Sequence, residues 1–163
     1  HGHALPRGIY MRNGGTRISE DCATLLAPAQ IEEFVLPYAE KALPAFGGGF
    51  VHYCGRNDHL LAAFLKMKGV RAINLGNPEM HNFHETMRAI LAAGKCYFGT
   101  WPRLPGEDLP AYIDRMMSAT EGGRRGLVLL FDETAFPESP PEEVLSLWEE
   151  KSTSWRQQGS VKQ

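Results

Sequence analysis

Apolar and polar positions fall in two alternating textures along the chain. Short apolar runs of strand length end in Gly, Asn, Asp, Cys or His, and each is followed by a longer stretch with apolar residues at helical spacing. "TRISED" predicts a short strand anchored by Ile18. In "LAPAQIEEFVLPYAEKALPAF", Pro28 suits a first helical turn, and Ile31, Phe34, Val35 and Tyr38 fall on one face. Pro37 lies inside that pattern and predicts a kink or a break, because its ring removes a helix hydrogen bond.

The alternation continues to the end. "GFVHYCG" predicts a strand, and "NDHLLAAFLKMKG" a helix capped by Asn57 or Asp58 and ended by Gly69. "VRAINLGN" predicts a strand and "MHNFHETMRAILAAG" a helix closing on Gly94. "KCYFGTW" predicts a strand, "LPAYIDRMMSATEGG" a helix, "GLVLLFDE" a strand and "PPEEVLSLWEEKSTSW" the last helix. Residues 157–163 are polar and are expected to fray. About five βα units in one domain, residues 1–163, predict a parallel sheet with helices outside, either an open doubly wound sheet or a (β/α)8 barrel.

Composition narrows the partners. The chain has 163 residues, 17 basic and 19 acidic, with no basic block, so no nucleic-acid partner is expected. No apolar run approaches the roughly 20 residues of a membrane span, and no stretch has the basic start and apolar centre of a signal peptide. Cys22, Cys54 and Cys96 are too few for a disulfide framework and fit free thiols or metal ligands in a cytoplasmic protein. The opening "HGH" has no reading from pattern: a tag remnant, a processed end and a cut through a longer gene all fit.

Ligands of parallel α/β sheets sit at the carboxyl ends of the strands, where this chain places Glu20 and Asp21, His52 and Cys54, Asn77, Thr100 and Trp101, and Asp132 and Glu133. No glycine-rich phosphate fingerprint follows the first strand. His52 and Cys54 are two apart and point to the same side of their strand. An imidazole and a thiolate so placed make half of a tetrahedral zinc site; the plain alternative is a buried cysteine beside an unrelated histidine. Glu133 or Asp132 is the expected third ligand. Cys96 lies too deep in its strand, and His81 and His84 are expected on an exposed helix surface. Asp21 is read as a carboxylate that orients substrate or a metal-ligating histidine, or as a simple cap. Arg56 is read as an anchor for a substrate carboxylate or phosphate, or as a surface arginine. Trp101 would floor a ligand pocket or cover the rim.

The order of "RISEDCATLLAPAQIEEFVLPYAEKAL", "VHYCGR", "GVRAINLGNPE", "KCYFGTW" and "GRRGLVLLFDETAFPESPPEEVLSLWE" resembles the uroporphyrinogen decarboxylase superfamily, which includes the corrinoid-dependent methyltransferases. The resemblance runs over residues 17 to 148. It implies a (β/α)8 TIM barrel, incomplete here, since about five C-terminal βα units are present and a full barrel needs about 250 residues. In the methyltransferase branch a His-x-Cys pair and a later Cys bind zinc. His52 and Cys54 match the pair; the later Cys is replaced by Phe131, Asp132 and Glu133, so Glu133 is expected in its place.

The function implied by the resemblance is zinc-assisted methyl transfer to a small-molecule thiol, with His52, Cys54 and Glu133 as ligands and a corrinoid on a partner protein as methyl source. A homo-oligomer is left open. The alternative is a metal-free carboxy-lyase of porphyrin biosynthesis, acting on uroporphyrinogen or a related polycarboxylate that Arg56 and Asp21 would orient. A third reading, from another class, is a ligand-binding module without catalysis.

Overall fold

The computed structural model describes residues 3–4, 10–120 and 126–160. It is a mixed α/β structure. Two short strands, β1 (His3–Ala4) and β2 (Tyr10–Met11), pair antiparallel near the start. This ladder has no counterpart in the sequence pattern. Five further strands form one all-parallel sheet: β3 (Thr16–Ser19), β4 (Gly49–Tyr53), β5 (Val70–Leu75), β6 (Cys96–Gly99) and β7 (Leu127–Leu129). They lie side by side in chain order, without the reversal that defines a doubly wound sheet.

Six helices connect and follow these strands: α1 (Pro28–Phe34), α2 (Leu36–Ala45), α3 (Asp58–Lys66), α4 (Phe83–Ala92), α5 (Leu109–Ser118) and α6 (Pro141–Ser160). Right-handed crossovers that always step to the same side place all connecting helices on one face of the sheet. The packing agrees. Val51, Tyr53, Ile73, Leu75 and Tyr97 share one apolar core with Leu60, Phe64, Met87, Ile90, Ile113 and Met116 from the helices. Each fully buried side chain of this size contributes roughly 1.5–3 kcal/mol.

The other face of the sheet has its own small cluster. Phe50 and Phe98 pack with ring centroids 5.2 Å apart, flanked by Ala72 and Leu130. A cavity of about 200 Å³ opens there, lined by Arg12, Phe50, Ala72, Cys96, Phe98 and Val128. Cys96, the first residue of β6, therefore sits at the amino end of the sheet, away from the carboxyl rim.

Local chemistry sets the helix ends. Asn57, Asn82 and Asp108 each accept a backbone N–H in the first turn of α3, α4 and α5. The predicted break at Pro37 is present: α1 ends and α2 begins at Val35, and Pro37 occupies the first turn of α2, where a missing N–H costs nothing. The break changes the buried stripe. Ile31, Val35, Ala39 and Leu43 are buried, at every fourth position, whereas Phe34 and Tyr38, expected on the same face, are exposed. At the other end α6 continues to Ser160, into the segment expected to fray, and residues 161–163 lie outside the described residues. Among the described residues no helix is long and apolar enough to cross a membrane.

Candidate metal centre

β3 and β4 pair in register, with Ser19 opposite His52, and the ladder runs one step further when Glu20 N–H donates to the His52 carbonyl at 2.8 Å. The chain then leaves β3 through a short 3-10 turn, Asp21–Leu25, whose first residue stands over the end of β4. Asp21 Oδ1 accepts the Cys54 N–H at 2.8 Å. The carboxylate thus caps the end of the neighbouring strand and is fixed by it.

Alternation along β4 sends Val51 and Tyr53 into the helix-covered core and Phe50 and His52 to the opposite face. Cys54 follows His52 on that side. His52 Nε2 lies 3.6 Å from Cys54 Sγ and 3.4 Å from Asp21 Oδ1. Among the described residues, Asp21, His52 and Cys54 form the group of potential metal donors whose ligand atoms all lie within 4.8 Å of one another. His52 is mostly buried, while Asp21 and Cys54 are exposed, so the cluster opens to solvent on one side.

Neighbouring groups hold this cluster from β5. His52 stands opposite Asn74 in the ladder, and His52 Nδ1 lies 2.6 Å from Asn74 Oδ1. Asn74 Nδ2 donates in turn to the Phe98 carbonyl on β6, at 2.5 Å. Gly55 turns the chain with φ 78° and donates to Asn77 Oδ1 at 2.9 Å. Gly76 lies directly behind the thiol. A Cβ at this position would overlap Cys54 Sγ and sit 3.1 Å from His52 Cε1, so a bare backbone is required there.

Burial, and after it the charge of Asp21, sets the electrostatics of the cluster. The Cys54 thiol is held above its ordinary value, by burial first, then by the hydrogen bond and charge of Asp21, with Arg17 acting in the opposite sense. Glu20 is also raised, by burial and then by the charge of Asp21. A cation among these groups would reverse the preference and favour the thiolate.

Other expected site residues are placed elsewhere. Glu133 is exposed in the 3-10 turn after β7 and is not one of the three clustered donors, of which the third is Asp21. Arg56 is paired with Asp58 (Nε to Oδ1 3.0 Å, Nη2 to Oδ2 2.9 Å) and lines a groove between α3 and α4 with His81 and Glu85. Trp101, the second residue after β6, is buried in the core against Phe83 and Tyr97. His81, expected on a helix surface, is buried just after a 3-10 turn, whereas His84 is exposed on α4.

Asn74 and Gly76 carry the support of the site and were not singled out by pattern. The signal for Asn74 was present, as an amide inside the otherwise apolar "AINL" of a strand.

Comparison with known proteins finds no matching family model, no matching curated protein and no matching solved structure.

Proposed function

We propose that Asp21, His52 and Cys54 bind a zinc ion at the carboxyl rim of a barrel-type βα sheet, and that the site activates a small-molecule thiol for methylation. The observation that carries this reading is the spacing of the donors. A tetrahedral zinc with donors at about 2.0–2.3 Å places N and O ligands about 3.3 Å apart and N and S ligands about 3.6 Å apart. His52 Nε2 is 3.4 Å from the Asp21 oxygen and 3.6 Å from the Cys54 sulfur. His52 therefore stands at coordination distance from both other donors, all three donor atoms lie within 4.8 Å of one another, and the open side leaves room for a substrate.

Zinc held by Asp21, His52 and Cys54 would supply Lewis acidity that lowers the pKa of a bound substrate thiol. The protein's part is to hold the three donors, keep one face open and back the site with bare glycine at Gly76. In the transfer the substrate sulfur gives its electron pair to the incoming methyl carbon. The bond from that carbon to its donor breaks toward the donor, and the thiol proton leaves to solvent. The resemblance of the motif order to the corrinoid-linked methyltransferases supports a methylated corrinoid on a partner protein as that donor. The sequential strand order supports the barrel, since barrel strands follow chain order around the circle.

The test is metal content and its dependence on the three side chains. The full chain, purified with limiting zinc, is expected to hold about one equivalent, the occupancy of a single site with three protein ligands. His52→Ala and Asp21→Ala are expected to lose it. Cobalt in place of zinc should give a sulfur-to-metal charge-transfer band that disappears in Cys54→Ser. Less than about a tenth of an equivalent in the wild type, unchanged in His52→Ala, sinks the proposal.

A further inference from the structure

Beyond the ligand set, the structure assigns a positioning role to Asn74: it fixes the His52 ring as the Nδ1–H tautomer, so that the Nε2 lone pair faces Asp21 and Cys54. The argument starts from a group that cannot change roles. The Phe98 backbone carbonyl only accepts, so the Asn74 atom 2.5 Å from it must be the amide nitrogen. That places Asn74 Oδ1 at 2.6 Å from His52 Nδ1. An amide oxygen also only accepts, and therefore His52 Nδ1 must carry a proton. In the neutral ring the other nitrogen, Nε2, is then an acceptor, and it is the atom beside Asp21 and Cys54.

Three strands take part in this relay. The carbonyl belongs to β6, the amide to β5 and the ring to β4, so the direction of one lone pair is set by strand pairing across the sheet. Asn74 is half-buried. Leucine at this position would keep the volume while leaving His52 Nδ1 and the Phe98 carbonyl without partners. Aspartate would keep an acceptor for Nδ1–H, lose the donor to Phe98 and add a negative charge beside the ring.

The consequence for metal binding rests on the zinc reading; the tautomer itself does not, and the two are measured separately. Long-range ¹H–¹⁵N spectra of the metal-free full chain, near pH 8.5 (about two units above the ordinary imidazole value), report which ring nitrogen carries the proton. His52→Gln identifies the resonance. The wild type is expected to show Nδ1–H, Asn74→Leu to shift population toward Nε2–H with its near-UV circular dichroism unchanged, and Asn74→Asp to restore Nδ1–H. Competition with a chelator should show zinc affinity about 10- to 100-fold weaker in Asn74→Leu, the usual cost of removing an outer-shell partner. A wild-type ring protonated at Nε2 overturns the assignment without any variant. So does an Asn74→Leu ring that stays Nδ1–H, or a shifted tautomer with undiminished zinc affinity. If the wild type binds no zinc, the metal reading fails while the tautomer spectra still decide the role of Asn74.

Discussion

Two acidic pairs close two strands of the same sheet. Glu20 and Asp21 follow β3; Asp132 and Glu133 follow β7; both lead into 3-10 turns. By local sequence they are near equivalents, yet they behave differently. Asp21 reaches across to the next strand, accepting Cys54 N–H at 2.8 Å and approaching His52 to 3.4 Å. Asp132 folds back on its own turn, accepting from Thr134 N–H at 3.0 Å and Thr134 Oγ1 at 2.7 Å. The difference lies in the neighbours. β3 borders β4, which carries His52 and Cys54, whereas β7 borders β6, which ends in Gly99 and Thr100. Three strand spacings of about 4.8 Å, roughly 14 Å in all, separate β7 from β4 across the described sheet. A carboxylate becomes part of a site by standing next to the right strand.

The sharpest way to break this comparison is to remove each carboxylate in turn. Asp21→Ala is expected to weaken zinc binding at least about 100-fold, more than the loss of an outer-shell partner, because it deletes a proposed ligand. Asp132→Ala should leave zinc affinity unchanged and cost only its local cap, about 1 kcal/mol in urea unfolding. Equal losses of affinity in the two variants would mean that the acidic pairs share a site. A smaller effect is expected from Gly76→Ala. Its new Cβ displaces the Cys54 sulfur, so zinc affinity should fall about tenfold and stability by about 1–3 kcal/mol, the range for overpacking. Retained affinity in a well-folded Gly76→Ala would show that the thiol does not need the position it occupies.

The comparison also marks the boundary of what the chain discloses before folding. The succession of βα units was legible because strand and helix periods differ, and the cap of α3 was legible as Asn57 or Asp58, of which Asn57 accepts the bond. The break at Pro37 was legible too. Its effect on the buried stripe was not, since exposure of Phe34 and Tyr38 depends on how α1 meets α2 at Val35. His52 and Cys54 could be paired from alternation within one strand. Asp21 could be read as a rim carboxylate that orients substrate or a metal-ligating histidine, but not as a donor beside both His52 and Cys54, because periodicity carries no information about strand order. The same gap explains the weight put on Glu133. Asn74 was harder still: its partners lie 22 and 24 residues away, and its meaning exists only in the register of β4, β5 and β6.

The smallest expected effect concerns the thiol itself in the metal-free protein. Cys54 is raised by burial and by Asp21, so its alkylation by iodoacetamide should rise with pH around a midpoint above that of the unfolded chain. Cys54→Ser separates this signal from Cys22 and Cys96. A thiol ionises to an anion, which a neighbouring carboxylate disfavours, so Asp21→Asn should move the midpoint to lower pH and Asp132→Asn should not move it. The linkage has the same sign. With the folded value above the unfolded one, the folded chain holds the proton more tightly. The stabilisation is complete below the unfolded value and is lost as pH rises through the folded value. The metal-free protein should therefore lose stability on the alkaline side, less steeply in Asp21→Asn. Zinc opposes this trend because it takes the thiolate form, and the alkaline loss should shrink when the site is filled. A midpoint that stays in place in Asp21→Asn would remove the carboxylate from the thiol's surroundings and leave the two acidic pairs alike.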